Sequence, residues 1–326
     1  MQNSRTDRVL VGAGPISPEA RTVWLAQPGI SHIVRHGQAV SSGRRLGSRV
    51  LGIGLDGCLA ALKALRRHPR GQFIANNPWI AVPLVLLGRD VWTTGIYAEA
   101  GSRSWRVLRR VLGDRPVVAT AQVEVEEWNV DGGRSEFVRY GASFGGRLRI
   151  ERSGPIRVFV GGTSDRDGAV IDRLIHDVAE ARDVELVVAT GESGPAHVLA
   201  SGVHYPGWVD QGTFVDLIRD SDVVFLPLRA GTRAAGHMVT VAALECGVPV
   251  MTTRSRAMDG YVDGQAVREL DDTEPILPAL IRAAQEGRSR GATFFREHWR
   301  ARHAPETNAT SVLAAFARLS EGRARA

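Results

Sequence analysis

From residue 156 onward the chain keeps a regular beat. IRVFVGG (156–162), VELVVAT (184–190), VVFLPL (223–228) and VPVMTT (248–253) are short, mainly apolar runs. Between them, DGAVIDRLIHDVAEA (167–181), FVDLIRDS (214–221), the stretch opening at Gly236, and EPILPALIRAAQEG (274–287) carry apolar residues at helical spacing. A mainly apolar run suits a strand buried on both faces. Strands alternating with helices predict a parallel sheet with right-handed crossovers.

The first half shows the same alternation less cleanly. RVLVGAG (8–14) reads as a strand and turn, and GCLAALKALRR (57–67) as an amphipathic helix with its basic face outward. Strands are predicted at 72–75, 90–94 and 116–120, with Pro78 opening a helix after the first of them. SEFVRYGASF (135–144) closes the half as a strand and glycine turn. GGRLRIERSGP (145–155) is rich in Gly, Arg and Ser and reads as a linker. The expected organisation is a first domain over 1–146, a linker at 147–155, a second domain over 156–290, and closing helices over 291–326 that cross back to the first domain.

Composition narrows the field. The 326 residues are 44% hydrophobic, enough for two α/β domains, and no run approaches a membrane span. The N-terminus lacks a charged-then-apolar signal pattern. Cys58 and Cys246 sit in apolar surroundings and read as buried thiols in a reducing compartment, so the expected location is cytoplasmic, with a peripheral position at an inner membrane face. The formal charge is +6, carried almost wholly by arginine, with Lys63 the single lysine. That excludes a P-loop, whose lysine follows glycine, and leaves only Lys63 for a Schiff base. Arginine forks suit phosphate or an acidic membrane face. The scattering of the arginines argues against nucleic acid as a partner.

VGAGPISPE (11–19) resembles a dinucleotide fingerprint, but Pro15 follows Gly14 and Ser17 stands where the third glycine belongs. It reads as a glycine turn after a strand. FVGGTSDRDG (159–168) is more informative. It places Gly161, Gly162 and Thr163 at the carboxyl end of a strand with Arg166 just beyond, where backbone amides and a cation meet a phosphate. Gly207-Trp208-Val209-Asp210 forms a compact loop ahead of a helix, suited to a base edge. After the loop RAGTRAA (229–235), Gly236 precedes a helix whose first turn offers free N–H groups to an anion. His237 and Thr240 lie three apart on one face there.

The order GGTSDRD, GWVD, SDVVFLPL, GHMVTVAALECGVPV, DGYVDG resembles the C-terminal domain of GT-B glycosyltransferases, and more narrowly the retaining clan of glycogen-synthase-like and mannosyltransferase-like enzymes. The resemblance runs from residue 156 to 266. In the first half PVVATAQVEVEEW (116–128) and FVRYGASF (137–144) are similar in outline to the family's strand before the linker and the loop after it.

The resemblance implies a GT-B-like α/β fold of two Rossmann-like parallel-sheet domains with an interdomain cleft. It implies a hexosyl group moving from a nucleotide-sugar donor to a hydroxyl acceptor, with retention, and no cofactor or metal beyond the donor as co-substrate. Gly161, Gly162 and Arg166 would meet the donor diphosphate, and Trp208 and Val209 the base. Gly236, His237, Met238, Val239 and Thr240 would present the helix start to the diphosphate and sugar, with Arg166 and His237 as the catalytic pair.

The chain departs from the family at two places. Ala234 and Ala242 stand where the family carries glutamates, leaving Glu245 or Thr240 to serve the ribose. The loss permits a second reading, a GT-B-shaped binding subunit without turnover. A nucleotide-sugar 2-epimerase and a Rossmann oxidoreductase are further rivals.

On the acceptor side, Asn76, Asn77 and Tyr97 follow predicted strands and are candidates for acceptor hydroxyls. His32 and His36 lack a third metal ligand and read as surface or structural residues. Glu124, Glu126 and Glu127 read as a solvated turn. Arg103, Arg106, Arg109 and Arg110 share a predicted helix that suits an acidic membrane face or plain solvent. The chain is expected as a monomer or homodimer.

Overall fold

The computed structural model describes residues 7–13, 16–36, 46–190, 202–231 and 234–324. Gly14, Pro15, Thr232 and Arg233, which belong to motifs discussed above, lie outside them. The chain forms two compact units, residues 1–138 with 308–326, and residues 139–307.

The first unit runs β1 (Arg8–Ala13), α1 (Pro18–Ala26), β2 (Ile30–His36), α2 (Leu46–Arg67), β3 (Gln72–Ala75), α3 (Pro78–Leu86), β4 (Val91–Thr94), α4 (Arg103–Leu112), β5 (Pro116–Ala119), α5 (Gln122–Val130) and β6 (Arg134–Phe137). Its six strands are parallel in the order β2-β1-β3-β4-β5-β6. Side chains alternate across a strand, and both faces of this sheet are covered. Val9, Val11, Phe73, Val91 and Val117 pack with Ala60, Ala64, Ile80 and Leu108 on one face. Leu10, Ile74, Trp92 and Val118 pack on the other face with Val312, Ala315 and Phe316 of the closing helix. The Trp92 and Phe316 rings stack at 4.9 Å.

The second unit runs β7 (Ile156–Gly161), α6 (Gly168–Glu180), β8 (Val184–Ala189), β9 (Val203–His204), α7 (Gln211–Arg219), β10 (Val223–Leu226), α8 (His237–Glu245), β11 (Val250–Thr252), β12 (Val267–Glu269), α9 (Ile276–Arg290) and α10 (Ala292–Arg302). The last helix, α11 (Pro305–Ala324), supplies the first unit's Val312 and Phe316. This sheet is also parallel, in the order β12-β11-β10-β7-β8-β9. Val158, Val160, Leu186 and Phe225 face Leu174, Val178, Leu280 and Ala284 of α6 and α9. Phe159, on the opposite face, meets Phe214 of α7 edge-on at 5.1 Å.

Segment 145–155 packs onto this second unit. Buried Arg149 donates to the Asp222 carboxylate and to the carbonyls of Asp222 and Gly287, while its backbone N–H donates to the Cys246 carbonyl. Asp222 also takes two hydrogen bonds from Arg288 and one from the Arg157 amide.

Two sequence expectations are corrected. Cys58 is exposed on α2, which starts eleven residues before the stretch read as helical and turns this position away from the core; only Cys246 is buried. Glu124, Glu126 and Glu127 lie on α5, not in a turn, and Glu124 is buried because it shares the helix's inward face with Val123 and Trp128. His32 and His36 belong to edge strand β2, where the His32 ring packs on His68 at 4.1 Å. Among the described residues no helix is long and apolar enough to cross a membrane.

Candidate active site

Both sheets contain a point where the chain reverses its direction of travel across the strands. In the second unit it falls between β7, which leads to β8 on one side, and β10, which leads to β11 on the other. Ligands of parallel sheets bind in the crevice outside the carboxyl ends of the strands at such a point.

That crevice gathers the glycine pair and the start of α8. Gly161 ends β7 and Gly162 follows with φ +92°, a conformation L side chains rarely adopt. A Cβ on Gly162 would lie 2.6 Å from Arg166 Nη2 and 3.4 Å from Val239 Cγ2. The bare glycine therefore sits between the guanidinium and the first turn of α8. Asp165, with φ +56°, turns the loop back so that Arg166 bridges Leu228, just past β10. Thr163 is exposed on the same loop.

Arg166 points its fork into its own loop. Nε and Nη2 donate to the Gly161 carbonyl at 2.9 and 2.7 Å, and Nη1 donates to Ser164 O at 2.9 Å. Three of the five N–H donors of a guanidinium are thus used in the loop, and two remain. Burial lowers its pKa to about 10, so it stays cationic at neutral pH.

Gly236 caps α8 in the left-handed region (φ +81°), and the first intrahelical bond runs from Thr240 N to Gly236 O. The N–H groups of His237, Met238 and Val239 precede that bond and face the helix start. Thr240 is fully buried, its hydroxyl donating back to Gly236 O. Val239 is buried, whereas Met238 is 58% exposed.

His237 is also buried, and its Nε2–H donates to Ala257 O at 2.6 Å. Burial lowers its pKa to about 4 despite that bond. The ring is neutral at pH 7, and its Nδ1 is an acceptor. Sequence reasoning passed over what holds it there. Tyr261, inside the DGYVDG motif, stacks on His237 at 4.1 Å, and His303 stacks beyond Tyr261 at 5.8 Å. The motif order signalled Tyr261; nothing local signalled His303.

The remaining donor-side candidates lie further off. Trp208, 57% exposed, and half-buried Val209 follow β9, two strands across from β7. The buried Glu245 carboxylate accepts from Ser143 Oγ at 2.6 Å and from the Phe144 amide at 2.7 Å.

In the first unit the reversal falls between β1 and β3. Asn76 and Asn77 follow β3 at its carboxyl end. Asn77 caps α3 by accepting from the Trp79 amide. Tyr97, beyond the end of β4, holds φ +52° and is 47% exposed. A Cβ on Gly95 would lie 2.2 Å from its ring, so the ring lies on that glycine.

Residues 154–286 match the family described as Glycosyl transferases group 1. No curated protein matches the chain in sequence. Solved structures similar to it include sucrose-phosphate synthase from Thermosynechococcus elongatus, with TM-score 0.68 at 13% identity over 97% of this chain and 99% of that one. A glycosyltransferase from Rickettsia africae ESF-5 gives TM-score 0.62 at 10% identity, over 96% and 98%. Anabaena HepE, solved with UDP, gives 0.59 at 16% identity over 98% and 100%, and the same protein has been solved with UDP-glucose. At these identities the likeness is one of fold. Residues 154–286 match a group 1 glycosyl transferase domain, and the two parallel-sheet units of the chain have the fold of the GT-B glycosyltransferases.

Proposed function

We propose that the chain transfers a hexosyl group from a nucleotide-sugar to a hydroxyl acceptor, with retention at the anomeric carbon. The observation that carries this reading is the meeting of Gly162, Arg166 and Val239 at the carboxyl ends of β7 and β10. Breaking the bond between the anomeric carbon and the diphosphate oxygen puts negative charge on the leaving group. Arg166, with two N–H donors to spare, and the open N–H groups of His237, Met238 and Val239 are preorganised for that charge. A helix start contributes roughly 0.3–1 kcal/mol when exposed and about 2 when partly buried, so the arginine and the amides must act together.

In this reading neutral His237 accepts from a hydroxyl of the sugar through Nδ1. Exposed Trp208 and the Val209 backbone serve the base. That HepE was solved with UDP-glucose supports a nucleoside diphosphate sugar as donor.

One observation favours a second reading, a subunit that binds the donor without turnover. Ala234 and Ala242 carry no carboxylate, and Glu245 is already bonded to Ser143 and Phe144. Donor hydrolysis in the absence of acceptor would sink it. A peripheral contact with an acidic membrane face completes the proposal. Arg103, Arg106, Val107 and Arg110 are exposed on α4, and co-sedimentation with anionic but not neutral vesicles tests that contact.

The test of the main reading is thermal shift with UDP-, GDP-, ADP- and dTDP-sugars, repeated on Arg166→Ala. A ligand at about a hundred times its Kd stabilises the fold by roughly 2.7 kcal/mol. A shift with one nucleotide, lost in the variant, supports the donor site. A silent panel from folded protein removes it.

A further inference from the structure

We infer that the carboxyl end of the first unit's sheet is a second anion site, in which Arg35 and Asn76, gathered over Gly12, hold a phosphate or carboxylate group of the acceptor. The inference rests on the glycosyl-transfer reading for the word acceptor; the site itself rests on the geometry below.

Three neighbouring strands place these residues side by side. Gly12 of β1 pairs in register with Arg35 of β2. On the other side β1 pairs with β3 as far as Val11 opposite Ala75, and the Asn76 amide donates to Val11 O as the ladder runs on. Residues directly opposite on adjacent strands project from the same face. Arg35 and Asn76 therefore flank Gly12 on one face, at the reversal between β1 and β3 where ligands of parallel sheets bind.

The glycine makes the arrangement possible. A Cβ at position 12 would lie 2.5 Å from Arg35 Nη1 and 2.8 Å from Asn76 Nδ2, closer than any real side chain approaches. Both side chains lean over bare backbone, and the atoms that meet there are a guanidinium and an amide nitrogen, all donors. Lys63 Nζ donates to the Arg35 carbonyl at 3.1 Å, adding a second cation beside the end of β2. Desolvation lowers the Arg35 pKa, the condition in which an arriving anion is held most strongly. Convergent donors with adjacent positive charge select an oxyanion, and a guanidinium fork suits the two oxygens of a phosphate or carboxylate.

Titration calorimetry with inorganic phosphate, glucose 6-phosphate, glucuronate and unmodified glucose tests the site. Saturable binding of at least one of the anionic probes is expected, with none for glucose. That binding should weaken about tenfold or more in Arg35→Ala and persist in Arg166→Ala. Gly12→Ala, which pushes a methyl group into the guanidinium, should weaken it likewise. If Arg35→Ala does not fold, Arg35→Lys keeps a cation without the fork and is expected to weaken binding in the same direction.

Inorganic phosphate binding as tightly as glucose 6-phosphate would mark a site for phosphate alone and overturn the acceptor assignment. The inference also fails if no anionic probe binds, if binding survives Arg35→Ala, or if it is lost in Arg166→Ala instead. The donor panel reads the other site independently. Silence there, with Arg35-dependent binding here, would remove the transfer reading and leave the anion site standing.

Discussion

The His237 imidazole lies face to face with the Tyr261 ring, 4.1 Å between centroids and 13° between planes. His303 continues the stack beyond Tyr261. The stack also grips one backbone residue from two sides. The Tyr261 hydroxyl accepts the Tyr140 N–H at 2.7 Å, and His303 Nδ1–H donates to the Tyr140 carbonyl at 2.9 Å. The first residue of α8 is thus held through aromatic contacts to residues far from it in sequence.

Tyr261→Phe keeps the rings stacked and leaves the Tyr140 N–H without its acceptor. We expect a loss of about 1–3 kcal/mol in chemical denaturation, with nucleotide binding retained. Tyr261→Ala removes a fully buried ring and should cost about 3–5 kcal/mol. It also frees His237, so any nucleotide-induced thermal shift should shrink in this variant alone. Equal shifts in the two variants would show that the stack does not position His237.

The same stack sets a pH dependence. Burial holds His237 and His303 at about 4, against 6.5 for an unburied histidine. The unfolded chain therefore takes up protons that the folded chain refuses as pH falls from about 6.5 to 4. Stability is full above that window and is lost on acidification through it, on the order of a few kcal/mol per histidine. Asp263 adds a second, lower step. Burial alone would raise its pKa, but hydrogen bonds from His298 and from the amides of Gln265, Val267 and Ala266 outweigh it and lower the pKa, so its contribution disappears only below the ordinary carboxylate range. Urea melts at pH 7.5, 5.5 and 4.5 should give falling midpoints, and His303→Gln should flatten the slope between the first two.

The second unit was easy to read from sequence because its central strands are buried on both faces. Runs such as VFV in β7 and VVFL in β10 leave no polar position to confuse the period. Of the four edge strands β6 was legible, and β2, β9 and β12 were not. β2 buries only Ile30 and Val34 fully and carries two histidines, while β9 and β12 are two and three residues long. α5 hid behind its glutamates, since a charge cluster resembles a turn unless one member is known to face inward.

The glycine pair, Arg166 and the start of α8 were legible because order and spacing along one domain announce them. The ring stack and the Arg35–Gly12–Asn76 row were not. Each joins residues from separate elements, and register alone brings them together.

Gly162→Ala tests the core of the site. The added methyl would approach Arg166 Nη2 at 2.6 Å in a backbone conformation that alanine resists. We expect about 1–3 kcal/mol of destabilisation from strain, and a nucleotide-induced shift reduced as far as in Arg166→Ala. A full shift in a destabilised variant would mean that the loop tolerates displacement of the guanidinium and that Arg166 does not face the ligand.

Asp222 is the hub that fastens segment 145–155 to the second sheet. Burial alone would raise its pKa, but bonds from Arg288 and the Arg157 amide and the charges of Arg288 and Arg149 together lower it. Asp222→Ala strands the buried Arg149 guanidinium and should cost about 3–5 kcal/mol. Pairing it with Arg149→Met, which removes the stranded charge, should recover part of that loss. Additive losses in the double variant would show that the two side chains do not act as a pair.

Glu245 decides whether this chain replaces the carboxylates missing at Ala234 and Ala242. Its two oxygens are taken by Ser143 Oγ and the Phe144 amide, and Gly146 packs so closely that a Cβ there would lie 3.5 Å from the Glu245 carboxyl carbon and 2.8 Å from Cys246 Sγ. A carboxylate so engaged is anchored to the chain's own backbone, so the ribose reading requires it to give up those bonds. Glu245→Gln keeps one acceptor oxygen and should lower stability by about 1–3 kcal/mol while leaving nucleotide affinity, measured by calorimetry on folded protein, unchanged. A tenfold fall in nucleotide affinity, about 1.4 kcal/mol, with little change in stability would assign Glu245 to the ribose instead.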